Sequence, residues 1–384
     1  MENKKLKVGS VPPLRFPGFE GKWETKKLGE VSSVSSGGTP SRANPLYWNG
    51  DIPWVSTTLI DFNFIEKSEE YITQEGLENS SAKLFPIGTL LMAMYGQGKT
   101  RGKVAILNIE ATTNQACGAI ITNKEVINPF FAFQNLVKRY DEIRDLSNQG
   151  SQENLSGGII KGIEITFPKL PEQIKIASFL SLIDKRIQTQ NKIIEELKLL
   201  KNTIRYQLYE QILNQENELV QVKDTLNYEQ PTKYLVTNTD YSSDISLIPV
   251  LTANKAFVLG YTDEEFGIYD KGHCIIFDDF TMDIKFVDFL FKVKSSAIKI
   301  LTAKPNVNLK FIFEYLLFLN LSSNEHKRHY ISEIEPMEIQ LPNYIQQTYV
   351  ADFLSSIDDK IKTEIEIYML LIKQKQYLLA NLFI

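Results

Sequence analysis

Cysteine, histidine and tryptophan are scarce, at two, three and three residues in 384. The two cysteines, Cys117 and Cys274, each lie in an apolar stretch. This pattern argues against a disulfide framework or a thiolate metal site, and points to buried free thiols in a reducing compartment, the cytoplasm. Two of the three histidines, His326 and His329, flank Lys327 and Arg328. Two cations between the ligands would repel a metal ion, so this stretch reads as a basic surface segment. No run of about 18 apolar residues occurs, so no membrane association is expected. The opening MENKKLKVGSVPPLRF carries charge without an apolar core, so no secretory leader is expected in it.

Catalytic signatures are also missing. There is no Asn/Asp-Pro-Pro-aromatic motif of an adenine methyltransferase, no glycine-rich cofactor loop, no zinc-type Cys/His spacing and no G-x-S-x-G elbow. A chain that is not an enzyme and holds no cofactor of its own is expected. The stretch GQGKT, Gly96 to Thr100, invites comparison with a nucleotide-binding loop. That loop needs a glycine five residues before Gly98, where this chain has Ala93. It also needs a helix directly afterwards, whereas Arg101-Gly102-Lys103-Val104-Ala105-Ile106-Leu107 reads as a turn entering a strand. A nucleotide hydrolase using Lys99 and Thr100 is the weaker alternative.

What is present is an ordinary globular composition, 43% hydrophobic and 23% charged, with net charge −5. An acidic chain argues against a nucleic-acid partner, but the distribution says otherwise. Lys83 to Asn108 carries four cations and no acid, and Lys292 to Lys310 carries five lysines and no acid. Acids gather in Asp61 to Glu78 and Asp263 to Asp288.

A repeat dominates the organisation. Residues 165–210 and 339–384 align without a gap over 46 positions at an offset of 174. Pro168/Pro342, Gln173/Gln347, Ala177/Ala351, Leu180/Leu354, Asp184/Asp358 and Leu197/Leu371 are identical pairs. Leu180, Ile183, Ile187, Ile194, Leu197, Ile204 and Leu208 recur at spacings of three and four, the seam of a coiled coil. Gln190/Glu364 and Lys201/Lys375 are its polar interruptions. Mutual pairing of the two helices is expected. Strand-like runs precede each helix: Ile52–Val55, Gly88–Leu91, Lys103–Leu107 and Ala116–Ile121 in the first unit, and Ile248–Leu251, Gly272–Phe277 and Ala297–Leu301 in the second. A shorter amphipathic helix follows in each, near Pro129 to Tyr140 and Leu309 to Leu321. The expected division is an arm at 1–22, a globular unit at 23–171, a helix at 172–215, a second globular unit at 216–345 and a helix at 346–384.

With this order of elements, the chain resembles the DNA specificity subunits of Type I restriction–modification systems. LRFPGFEGKWETKKLGEV, SGGTPSRANPLYWNGDIPWVSTTLID, GQGKTRGKVAILNIEATTNQACGAI and SQENLSGGIIKGIEITFPKLPEQIKIASFLSLID are similar to a first target-recognition domain and its exit into a helix. GHCIIFDDFTMDIKFVDFLFKVKSSAIKIL and HKRHYISEIEPMEIQLP are similar to a second domain of another subtype. The resemblance implies an α/β (α+β) fold with two recognition domains alternating with two long helices, paired as an antiparallel coiled coil with pseudo-two-fold symmetry. It implies that each domain reads half of a split, asymmetric site on double-stranded DNA and that the helices fix the gap. It implies two methyltransferase subunits as partners, holding S-adenosylmethionine, and two motor–nuclease subunits in a restricting complex. A methylation-only or other defence system remains the close alternative. Ile345, Thr348 and Tyr349 stand where the first helix has Pro171, Ile174 and Lys175, so unequal partner surfaces are expected.

Within that frame, Lys99, Thr100, Arg101 and Lys103 are candidate phosphate contacts, with Arg101 and Gln97 as alternatives for guanine and adenine edges. Asn114, Gln115, Gln149, Ser151 and Gln152 lie in amide-rich turns that suit adenine or simply form turns. Thr39, Ser41 and Arg42 in SSGGTPSR read as loop residues. In the second unit, Asp278, Asp279, Thr281 and Asp283 read either as acceptors for cytosine N4 or as a structural turn, with metal binding a poorer third. Lys292, Lys294, Lys299, Lys304, Lys327 and Arg328 are the candidate phosphate grip there, or one solvated strand face.

Overall fold

Alternation of apolar residues places each central strand between two cores. A computed structural model describes residues 11–96, 99–146, 154–252, 256–322 and 327–384. It divides into two units, Met1–Asn191 with Ile367–Ile384, and Lys192–Glu366. In the first unit Leu90, Met92, Val104 and Ile106 face one core, while Leu91, Ala93, Ala105 and Leu107 face another. In the second, Ile275 and Phe277 face one core and Cys274 and Ile276 another. Strands covered on both faces read as continuous apolar runs, as these do. Both thiols are buried here and free, and burial pushes Cys117 and Cys274 up to about 12.

The first unit holds a five-stranded sheet in the order Ser32–Ser36, Cys117–Thr122, Leu90–Ala93, Val104–Leu107, Phe64–Ile65. A three-stranded sheet runs Glu70–Ile72, Trp48–Val55, Thr112–Thr113, and Glu24–Lys27 pairs with Glu164–Phe167. The second unit repeats this plan. Its four-stranded sheet runs Leu226–Glu229, Ile298–Ala303, Cys274–Asp278, Ile284–Val287. Its three-stranded sheet runs Val258–Thr262, Ile248–Leu251, Lys292–Val293, and Glu218–Gln221 pairs with Glu338–Leu341. Two heads of unlike sequence thus share one topology; among the described residues the second shows no counterpart of the edge strand Phe64–Ile65.

Each head carries a ten-residue helix, Pro129–Lys138 or Leu309–Phe318, capped by Asn128 or Asn308. The cap side chains accept from the Phe131 and Phe311 N–H groups at 3.0 and 3.1 Å. The cap backbones are held by the repeat itself. Asn128 N–H donates to Gln173 Oε1 (2.8 Å) and Asn308 N–H to Gln347 Oε1 (2.9 Å). The same glutamines donate from Nε2 to the Pro168 and Pro342 carbonyls, both at 2.8 Å. A buried amide therefore staples each head to its stem with both ends satisfied.

The stems are helices Leu170–Leu213, of 44 residues, and Tyr344–Leu382, of 39. Both begin two residues before the starts expected from the sequence, 172 and 346. In the first unit Ile176, Ala177 and Leu180 share a core with Leu379, Leu382 and Phe383, and Lys375 bridges Asp184 at 2.6 Å. In the second, Tyr209 and Ile212 share a core with Val350, Ala351 and Leu354, and Lys201 bridges Asp358 at 2.7 Å. In each unit one helix advances as the other retreats, so the packing is antiparallel. The seam positions Gln190 and Glu364 are also buried. The arm joins the first unit: Arg15 forms two 2.7 Å bonds to Glu172, the Phe16 ring meets Phe179 edge-on, and Leu14 N–H reaches the Asn381 carbonyl at 2.9 Å. On the second helix Ile345 and Tyr349 are exposed, at 82% and 69%.

Gln347→Leu strands a buried N–H and a carbonyl, and Gln173→Leu an N–H and the Val126 and Pro168 carbonyls, each worth about 1–3 kcal/mol. Urea unfolding should show a loss of ~2–4 kcal/mol for either variant. A loss below ~0.5 kcal/mol would mean that the staples carry no stability.

Candidate nucleic-acid interface

Backbone bonds draw three chain segments together at one end of the main sheet in each head. In the first, Met94 continues the strand Leu90–Ala93. Its N–H donates to the Ala116 carbonyl and its carbonyl accepts from Leu155 N–H, both at 2.9 Å. This brings together Met94, the turn at Asn114–Ala116 and Leu155. In the second head Asp279 stands in the same place. Its N–H donates to the Ala297 carbonyl (3.1 Å) and its carbonyl accepts from His329 N–H (3.0 Å). The turn at residues 279–283, the turn at 294–297 and the segment before His329 therefore meet in the same manner. Even the turn chemistry matches: Asn114 Oδ1 accepts from Ala116 N–H and Ser295 Oγ accepts from Ala297 N–H, each at 3.1 Å.

The Lys99 side chain is exposed on the turn before Lys103, and Thr100 is half-buried. The loop is anchored by the Tyr140 hydroxyl, which donates to the Lys99 carbonyl at 2.5 Å. After it comes the strand Val104–Leu107, not a helix, so the nucleotide-loop reading lacks its phosphate cradle. Arg101 is only 6% exposed, which removes it from the candidate contacts. Lys103 bridges Asp61 at 2.5 Å and is partly covered. Asn114 is a turn former, holding Ala116 N–H and the Cys117 thiol. Gln115 is exposed and accepts from the Thr39 hydroxyl at 2.6 Å, which draws SSGGTPSR onto this same end. Gly37 and Gly38 allow that approach, since an added Cβ would lie 2.0 Å from the Thr113 carbonyl or 2.3 Å from Ser81 Oγ. Arg42 stacks on Trp48, 3.6 Å from the ring centre, and is chelated by Glu70. Gln97, Gln149, Ser151 and Gln152 lie outside the described residues.

The acidic turn of the second head is corrected most. Asp279 is 1% exposed; Oδ1 accepts from His329 and Tyr330 N–H at 3.1 and 2.9 Å, and Oδ2 faces Lys299 at 3.2 Å. Its carboxylate is turned inward and does not fit a cytosine reader. Asp278 Oδ1 accepts from Phe280 and Thr281 N–H, and Asp283 accepts from the Thr281 hydroxyl, so the segment is a self-bonded turn with Thr281 on its surface. Lys292 and Lys299 are buried, so neither grips phosphate nor lies on a solvated strand face. Lys292 donates to the Phe266 carbonyl at 2.6 Å and meets Glu264 at 2.7 Å. Lys304 lies past the far end of the strand Ile298–Ala303 and donates to the Lys223 carbonyl at 2.6 Å, away from the convergence. His329 is buried rather than part of a basic surface, while His326 is outside the described residues. Lys294, Lys327 and Arg328 remain exposed at the convergence, Lys327 bridging Glu333 at 2.9 Å. No metal-holding group of His, Cys, Asp or Glu occurs among the described residues.

Two residues escaped sequence reasoning. Tyr95 follows Met94 and Phe280 follows Asp279, and both rings are exposed, at 43% and 38%. Only the structural register aligns them.

The Lys292 ammonium and the Thr237 hydroxyl lower Glu264 to about 2. A depressed carboxylate adds stability above its ordinary pKa and loses it as pH falls through the folded value. Melting temperature should therefore drop between about pH 4.5 and pH 2 less steeply in Glu264→Gln than in the native chain. Parallel curves would contradict this ion pair.

Residues 20–199 match the model of the Type I restriction modification DNA specificity domain. The chain is 32% identical over 205 residues to the Type I restriction enzyme MjaIX specificity subunit of Methanocaldococcus jannaschii, covering 52% of this chain and 45% of that one. It is 46% identical over 133 residues to the EcoR124I/EcoR124II specificity subunit of Escherichia coli, covering 33% of each. The matches thus span less than half the length of these curated relatives. The crystal structure of the S subunit of a Type-I restriction–modification system from M. genitalium has the same fold, with a TM-score of 0.66 at 15% identity over 97% of this chain and 99% of that one. The chain is thus similar over residues 20–199 to the Type I restriction modification DNA specificity domain, and over nearly its whole length it shares the fold of a solved S subunit.

Proposed function

We propose that this chain is the non-catalytic specificity subunit of a Type I restriction–modification complex, each head reading one half of a bipartite, asymmetric site on double-stranded DNA. The observation that carries this reading is the same pair of backbone bonds joining three chain segments at Met94 and again at Asp279, in heads of unlike sequence. A constant strand end with variable turns is what two readers of different half-sites require. Lys99, Lys294, Lys327 and Arg328 contact phosphates and set register. Gln115 reads adenine from the major groove. The exposed Tyr95 and Phe280 rings contact base or sugar faces. The helices set the gap and dock two methyltransferase subunits, with two motor–nuclease subunits added in a restricting complex. Adenine methylation and S-adenosylmethionine belong to the methyltransferase partner.

Sequencing of modified bases in the source cell, with and without this chain, tests the reading. Loss of adenine methylation at one split motif is expected; an unchanged methylome would refute it. On purified complex, Lys99→Ala should weaken binding about equally across sequences and lower the salt slope by about one. Gln115→Ala should instead relax one base position by about 1–3 kcal/mol. Uniform weakening by Gln115→Ala would remove it from the readers.

A further inference from the structure

Each head helix lies in a socket on its stem, and the two sockets can be compared residue by residue. The caps Asn128 and Asn308 set an offset of 180 for the head helices, and the repeat sets 174 for the stems. In the first socket Gln134 Nε2 donates to Asp184 at 2.6 Å, and Lys375 bridges the same carboxylate at 2.6 Å. One cation meets one anion. The flanking positions are apolar, Phe130 on the head and Leu379 on the stem, and the buried Gln134 Oε1 accepts no hydrogen bond among the described residues.

In the second socket Glu314 replaces Gln134 and is fully buried. Its oxygens meet Lys201 and Arg205, each at 2.7 Å. Arg205 stands where the first stem has Leu379. Lys310 stands where the first head has Phe130, and bridges Asp358 at 3.0 Å and Glu314 at 3.3 Å. Three cations meet two anions. Burial raises the Asp358 carboxyl, but Lys201 and Lys310 together hold it below its ordinary value. A glutamine-to-glutamate change is thus matched by two added cations, one from the head and one from the stem.

We propose that these residues form a charge key that decides which head seats on which stem. The second head on the first stem would lose the Arg205 partner of Glu314 to Leu379, leaving Lys375 and its own Lys310 to face both Glu314 and Asp184. The first head on the second stem would bury Arg205 against a neutral amide. Either mismatch takes a partner from a buried charge, and breaking a buried pair is strongly destabilising. The key therefore disfavours a chain carrying the same head twice, and so protects the asymmetry of the site. That consequence rests on the reading proposed above. The key does not, and its test contains no DNA.

Thermal unfolding of the full chain tests it through double-mutant coupling. Gln134→Glu and Leu379→Arg should each lower the melting temperature by about 3–8 °C, and the double variant should lose clearly less than their sum. At the second socket, Glu314→Gln combined with Arg205→Leu should likewise lose less than the two singles together. Coupling at both sockets supports the key, and additive losses overturn it. If Arg205→Leu does not fold, the first socket decides alone: Gln134→Glu that Leu379→Arg fails to rescue overturns the proposal.

Discussion

A lysine facing an aspartate inside a helix seam holds the register of everything attached to it. Lys375 meets Asp184 in one unit and Lys201 meets Asp358 in the other, and the four residues are two copies of a single pair. Such bridges add little net stability, because both groups give up water to form them. Their worth is discrimination. A helix slid by one heptad would part each ammonium from its carboxylate, at a cost that plain leucine packing does not impose. With register fixed, Gln173 and Gln347 arrive opposite the caps of the head helices, and each head takes its orientation from the stem.

The heads divide labour by depth. Their central strands are buried on both faces and hold strand ends in place whatever sequence the turns carry. Met94 and Asp279 share the same pair of backbone bonds although one side chain is a thioether and the other a carboxylate. The backbone pattern is thus what the two heads share and the side chain what differs between them. In the second head that side chain is turned to internal use, as Asp279 ties Lys299 and the backbone after Arg328 into a single node.

Much of this was legible in the sequence. The gapless repeat announced the two stems, the seam positions Gln190, Lys201 and Glu364 were buried and Lys375 half-buried as their spacing implied, and the strand runs lie where alternation and turn residues put them. What misled was charge. The acid-free windows at Lys83–Asn108 and Lys292–Lys310 read as free basic surface, and the acid-rich windows at Asp61–Glu78 and Asp263–Asp288 read as separate. Folding lays one upon the other: Lys103 on Asp61, Lys292 on Glu264, Lys299 on Asp279. These partners are 20 to 42 residues apart, beyond any local window. A lysine's exposure depends on that distant partner, so composition alone could not sort contacts from internal pairs. The aromatic pair Tyr95 and Phe280 was hidden for a related reason, since their turns differ in length and only the strand ends align them.

The arm and the last helix turn give the chain an order of assembly. Leu14 bonds to Asn381, and Phe383 packs on Phe131 inside the first core. The first unit therefore draws on residues 11–191 and 367–384, whereas the second is contiguous from 192 to 366. During synthesis the later-made unit has all its parts first. The earlier-made one must wait, with an apolar strip around Ile176, Leu180 and Phe131 open, until residues 367–384 emerge. Across that interval of about ten seconds or more the nascent chain is most exposed to aggregation and most dependent on chaperones.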